Sequence, residues 1–183
     1  PQEWADTYTS GKLLATGGTR SILNNGLYNI AHWMDGDPFP TYEGELSYQT
    51  LFEYGQVEGI NSQDGEEITD EWHGGAWLTS GDKSAIVFTG NKGRGESTYY
   101  GGYMSTTSKA SFLFYDPQDL EEVVKGTKQA HEPQPYAILD VGEYLFTEEP
   151  RLLSCAFDRQ NRLLYVVEPN HEQPLIHIWK IRR

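Results

Sequence analysis

The sequence predicts an all-β protein built from repeated antiparallel units. Three observations lead there. Short runs rich in β-branched and aromatic residues alternate with turn residues along all 183 positions. Helix signals gather in a single stretch, Pro117 to Lys125. A strand–turn–strand plan also recurs. Glu71-Trp72 leads to Leu78-Thr79-Ser80-Gly81 and then Ala85 to Gly90. Glu3-Trp4 likewise leads to Tyr8-Thr9-Ser10-Gly11 and then Leu13 to Gly17, so Gly11 and Gly81 align 70 residues apart.

Taken in order, the first unit (about residues 1–60) has strand candidates at Leu13–Gly17, Gly26–Trp33 and Ser47–Tyr54. The second (61–147) has a strand entered at Glu71-Trp72, a tight turn at Leu78-Thr79-Ser80-Gly81, a strand at Ala85–Gly90, and further strands at Ala110–Tyr115 and Pro135–Asp140. The third (148–183) has Leu152–Phe157, a turn at Asp158-Arg159-Gln160-Asn161, Leu163–Val167 and Leu175–Ile181. Ala85–Phe88 and Leu163–Val167 are continuous apolar runs, as expected of strands covered on both faces. The helix over Pro117–Lys125 is predicted from Asp116 as cap, Pro117 in the first turn and Gly126 at the end. Its place is a short exposed decoration.

Four-stranded antiparallel units at this period predict β-propeller-type blades. The chain holds about 2.5 to 3 of them, an incomplete ring, since propellers close with roughly four to eight. A single β-domain of sandwich type is the alternative. An arc leaves sheet edges and a blade face open. Other chains or missing blades are therefore expected to complete the fold, and a stable lone monomer is not. The chain opens at Pro1-Gln2-Glu3-Trp4 and not at Met, as expected of a processed or truncated piece.

Two stretches carry a resemblance. One is Ala156-Phe157-Asp158-Arg159, Leu163 to Glu168 and Ile176 to Ile181; the other is Asp70 to Ala85. They resemble blades of uncharacterised bacterial β-propeller-like proteins, over most of residues 70–181. The resemblance implies a blade fold and no particular chemistry.

There are 27 acids against 14 bases, a net charge of −13. Phosphate recognition needs a basic surface, so a nucleic-acid partner is excluded. Docking on an anionic membrane is excluded likewise. No apolar run approaches the ~20 residues of a spanning helix. Residues 1–80 hold 13 acids and only Lys12 and Arg20 as bases. The densest cluster is Asp64, Glu66, Glu67, Asp70 and Glu71, a solvated loop or a surface for a cation or a basic partner. Cys155, the single cysteine, sits in an apolar run and reads as a small buried hydrophobe. An extracytoplasmic or secreted location is expected.

Chemistry is sought first at Asp70-Glu71-Trp72-His73-Gly74-Gly75, the entry to an innermost strand. Carboxylates, an indole and an imidazole are a glycan-binding mixture. The same Glu71, His73 and Asp70 would serve as acid and base if the protein were a carbohydrate-active hydrolase or lyase. Against this, the recurrence of Glu-Trp at residues 3–4 favours a structural role, with Trp72 packed between blades. Further ligand-binding candidates are Trp77, Lys92 and Arg94 of the glycine-rich run Gly90–Gly95, expected to be a mobile loop, and Tyr99 and Tyr100 beyond it. Asp35 and Asp37 are candidate calcium ligands, otherwise a solvated turn; no other cofactor is expected. His177, alternating with isoleucines, reads as a satisfied structural histidine. The expected function is a non-catalytic binding or scaffolding module for a glycan or protein partner. The alternatives are the hydrolase or lyase, and a structural subunit that completes a ring.

Overall fold

The computed structural model describes residues 1–12, 14–17, 26–30, 48–54, 69–99, 103–169 and 172–182. Within them the chain is mostly antiparallel β-sheet with few helices. Three sheets follow one another along the sequence, each an up-and-down meander. The first is β1 (Leu14–Gly17), β2 (Gly26–Ile30) and β3 (Tyr48–Glu53). The second is β4 (Glu71–Ser80), β5 (Lys83–Tyr99), β6 (Tyr103–Tyr115) and β7 (Ala137–Asp140). The third is β8 (Cys155–Asp158), β9 (Leu163–Glu168) and β10 (Leu175–Lys180).

The second sheet is covered on both faces. Alternation along its strands sends successive side chains to opposite sides. Ile86, Leu113 and Tyr115 join Leu51, Phe52 and Tyr54 of the first sheet's side in one core cluster. Val87, Ala110 and Phe112 join Leu164 and Val166 of the third sheet in another. The apolar run Ala85–Phe88 is explained by this two-sided burial. Phe52 stacks on Tyr115 with centroids 4.9 Å apart. Across the other interface Phe112 meets Trp179 edge-on at 5.2 Å.

A bulge in β4 makes the pattern work. Trp72 pairs with Gly90 and Gly74 with Thr89, so His73 is an extra residue. Trp72 and Trp77 are five apart and would face opposite ways on a regular strand. The inserted residue brings both to the first-sheet side, leaving Ala76 and Leu78 for the third-sheet side.

The second and third sheets meet most closely at their first strands. Gly74 is required there, because a Cβ would lie 2.5 Å from the backbone nitrogen of Cys155. Beside it the Asn91 side chain clamps the backbone of Leu152. Its Oδ1 accepts from the Leu152 N–H at 2.9 Å and its Nδ2 donates to the Leu152 carbonyl at 3.3 Å. The amide group thus replaces a strand partner for a buried backbone.

Three expectations are corrected. Glu3-Trp4 does not begin a strand; it lies in helix α1 (Gln2–Tyr8), where the Ala5 and Thr9 N–H groups bond one turn back. The Glu-Trp recurrence is therefore one of sequence and not of conformation. Gly11 and Gly81 do share a left-handed backbone, at φ 81° and 68°. The run Gly90–Gly95 is no loop but part of β5, paired with β6 through Arg94. Helix α2 (Pro117–Val124) has the predicted cap, Asp116 accepting from the Gln118 N–H, yet it is not a decoration. Leu120 is fully buried and sits in the core with Phe52 and Tyr115. Its amphipathic spacing finds a face to bury only once β3 lies beside it.

Candidate functional site

The entry to β4 resolves into two layers. The inner one is an ion pair. The Asp70 carboxylate is fully buried, and its Oδ2 lies 2.9 Å from the Lys92 Nζ. Its Oδ1 accepts from the Gly93 N–H at 2.8 Å. Lys92 reaches it because it follows Ile86, Phe88 and Gly90 in alternation on the first-sheet side of β5. Gly93 cannot carry a side chain here, since a Cβ would lie 1.8 Å from the Thr69 hydroxyl. Lys92 was a candidate for an acidic ligand, and it meets an acidic side chain of its own chain.

The outer layer is Glu71 and His73. The bulge sets them side by side, with Oε2 and Nε2 3.5 Å apart and about a quarter of each side chain exposed. A carboxylate beside a solvent-reachable imidazole can accept bonds from hydroxyls or orient the ring for proton transfer.

Trp72 is buried in the core, packed over Gly90, where a Cβ would come within 2.8 Å of its ring. Trp77 is partly buried against Trp4, their rings 4.9 Å apart. The indole N–H groups of Trp72 and Trp77 are both shut away from solvent, so neither offers its donor outward. Arg94 is exposed, four residues beyond Gly90 on β5. Tyr99 ends β5 in register with Tyr103. Tyr100, Asp35, Asp37 and the acids from Asp64 to Glu67 lie outside the described residues. Thus Asp70, Glu71, Trp72, His73 and Lys92 are brought together, Trp77 packs against the core cluster that holds Trp72, and Arg94 is exposed two residues beyond Lys92. Among the described residues no group of three or more His, Cys, Asp or Glu is placed to hold a metal ion. No described helix is long and apolar enough to cross a membrane.

A second polar cluster escaped the reading of the sequence. Glu168, fully buried, accepts from the Phe146 N–H at 3.0 Å and the Thr147 N–H at 2.8 Å. It also accepts from the Thr147 hydroxyl at 2.8 Å and lies 2.6 Å from His177 Nε2. Burial by itself would raise its pKa, but these bonds outweigh burial and hold the carboxyl below its ordinary range. His177 is stacked between Phe146 and Trp179. The signal was present: Glu168 continues the inward alternation of Leu164 and Val166. An acid at an inward position needs partners. Cys155 is half-buried, and burial raises its thiol pKa, with a weaker opposing bond to Thr89. A raised thiol pKa leaves less of the nucleophilic thiolate at neutral pH.

The fold and site together define an all-β protein of stacked meander sheets with a polar cluster at a strand entry. Set against family models, curated proteins and solved structures, the chain matches none.

Proposed function

We propose that the chain is an arc of β-propeller-type blades, about 2.5 to 3 in number, that acts as a binding and scaffolding module for a glycan or a protein partner. One observation carries this reading. The middle sheet is clad on both faces by meanders that precede and follow it in sequence, and it meets the following one closely where Gly74 of β4 approaches Cys155 of β8 and Asn91 of β5 clamps Leu152. A two-sheet sandwich covers each sheet on one face only. Stacked blades cover every inner blade twice.

Within such an arc the β4 entry is the place for a ligand. Asp70 is engaged by Lys92 in the interior, so it supports the strand entry and does not meet substrate. Glu71 and His73, each about a quarter exposed, would accept and donate bonds to hydroxyl groups. The second reading is a carbohydrate-active hydrolase or lyase. The bulge-borne approach of His73 to Glu71 favours it, because bulges re-aim side chains at active sites.

Binding to an immobilised glycan panel, with product analysis on every retained glycan, tests the two. The module reading expects retention of a glycan class without turnover, and loss of retention in His73→Ala. Turnover that disappears in Glu71→Gln would replace it with the enzyme reading.

A further inference from the structure

We propose that His177 and the Phe146 ring beside it form a second ligand site, one that takes the ring of an uncharged saccharide. The proposal takes its ligand class from the glycan reading above and makes no use of the β4 entry.

The site is built outward from a buried carboxylate. Glu168 accepts from the Phe146 N–H, the Thr147 N–H and the Thr147 hydroxyl. An ionised carboxylate only accepts, so the hydrogen between it and His177 belongs to Nε2. That bond fixes the imidazole and turns its other nitrogen, Nδ1, away from Glu168. Among the described residues Nδ1 has no hydrogen-bond partner, and 11% of the His177 side chain is open to solvent. In a neutral ring Nδ1 accepts one bond, and in a protonated ring it donates one. Either form suits a hydroxyl group.

Two further features name the ligand class. The first is the platform. Phe146 stacks on the imidazole with centroids 5.8 Å apart at 24°, an offset arrangement in which its ring overhangs His177. Phe146 is also 80% exposed, more than any other large apolar side chain described. Core packing does not account for that ring, yet its backbone is pinned by the bonds to Glu168, so the platform is held ready. An aromatic face is negative, and the C–H bonds of a pyranose ring are weakly positive. A sugar packed on Phe146 brings its hydroxyls to the neighbouring Nδ1. The second is charge. Glu143, Glu148 and Glu149 are exposed in the same segment, which holds no base from Gly142 to Pro150, and Glu172 is exposed ahead of β10. Uronates and sulfated sugars are repelled from such a surface. A histidine that served only to satisfy Glu168 would need no exposed aromatic ring beside it.

NMR of the full chain tests this, titrated with soluble neutral oligosaccharides of glucose, galactose, mannose and xylose, and with an oligogalacturonate. The expected result is saturable shifts of the Phe146 and Thr147 amides and the His177 ring with a neutral sugar, at about 1–10 mM, as suits one stacking contact and one hydrogen bond. Phe146→Ala, at an exposed position, should leave the thermal melt unchanged and weaken this binding at least about tenfold. Nitrogen spectra give a check without ligand, since Nε2 should carry the hydrogen. A neutral imidazole protonated at Nδ1 overturns the proposal. So does the absence of saturable shifts at these residues, binding that survives Phe146→Ala, or shifts there confined to the oligogalacturonate. Shifts confined to residues 71–74 overturn it while the β4-entry reading stands. Shifts confined to residues 146, 147 and 177 uphold it and remove the ligand from the β4 entry.

Discussion

Replacing Lys92 by Met isolates the buried ion pair at the β4 entry. Asp70 is fully out of solvent and the Lys92 side chain is 5% exposed, with 2.9 Å between the charged atoms. At that separation, and an effective dielectric constant of ~20, the attraction is about 6 kcal/mol. Desolvation of both charges offsets much of it, so the pair as a whole adds little net stability. Removing one partner is different, because the other charge stays buried without its opposite charge at 2.9 Å, at about 3–5 kcal/mol. Methionine keeps most of the aliphatic stem, so packing changes little. The melting temperature of Lys92→Met should fall by about 6–20 °C for a chain of this length. The double variant Asp70→Asn/Lys92→Met should recover about half of that loss or more, because the orphaned charge is gone. Urea unfolding of the wild type, both single variants and the double variant closes the cycle. Strict additivity, or a Lys92→Met chain within about 1 kcal/mol of wild type, would refute the reasoning.

Three further outcomes are expected. Gly74→Ala forces a Cβ to within 2.5 Å of the Cys155 backbone, so the second and third sheets must separate locally; hydrogen exchange should rise over residues 152–157 and stability fall by about 2–4 kcal/mol. Leu120→Ala should cost about 2–5 kcal/mol in urea unfolding, as a core position does, whereas a helix that only decorated the surface would lose under about 1 kcal/mol. Glu168 has a folded-state pKa below its unfolded value, so its contribution is fully present above the unfolded value and is lost as pH falls through the folded one. Acid titration should therefore release the segment around Phe146 and Thr147, followed by the NMR shifts of their amides. Glu168→Gln should reduce stability at neutral pH and flatten its decline on the acid side.

Much of the fold was legible because strand chemistry is local. The β-branched runs at Ala85–Phe88 and Leu163–Val167 and the capped helix after Asp116 each follow from a few neighbouring residues. The two-sided burial of Ala85–Phe88 was readable too, as an apolar run without alternation. The Glu3-Trp4 match misled because a dipeptide does not carry a conformation. At the N-terminus the backbone groups are satisfied by i to i+4 bonds, as at Ala5 and Thr9. The Gly90–Gly95 run misled for the opposite reason. Glycines usually mark loops, but here Gly90 and Gly93 are places where Trp72 and Thr69 pass too close for a Cβ. That closeness exists only after β4 has paired with β5.

The candidate site divides along the same line. Acids and aromatics at the β4 entry were visible in the sequence, and so was the inward histidine on β10. Their division into a buried Asp70–Lys92 pair and a partly exposed Glu71–His73 pair was not. Charge sign and residue type are written in the chain, so the acid excess of the first 80 residues was readable from composition alone. Burial is not written there. Whether a carboxylate meets solvent or a lysine 22 residues away depends on a one-residue bulge at His73. The bulge sets which face each later side chain takes. Only the paired sheets, packed against their neighbours, decide that.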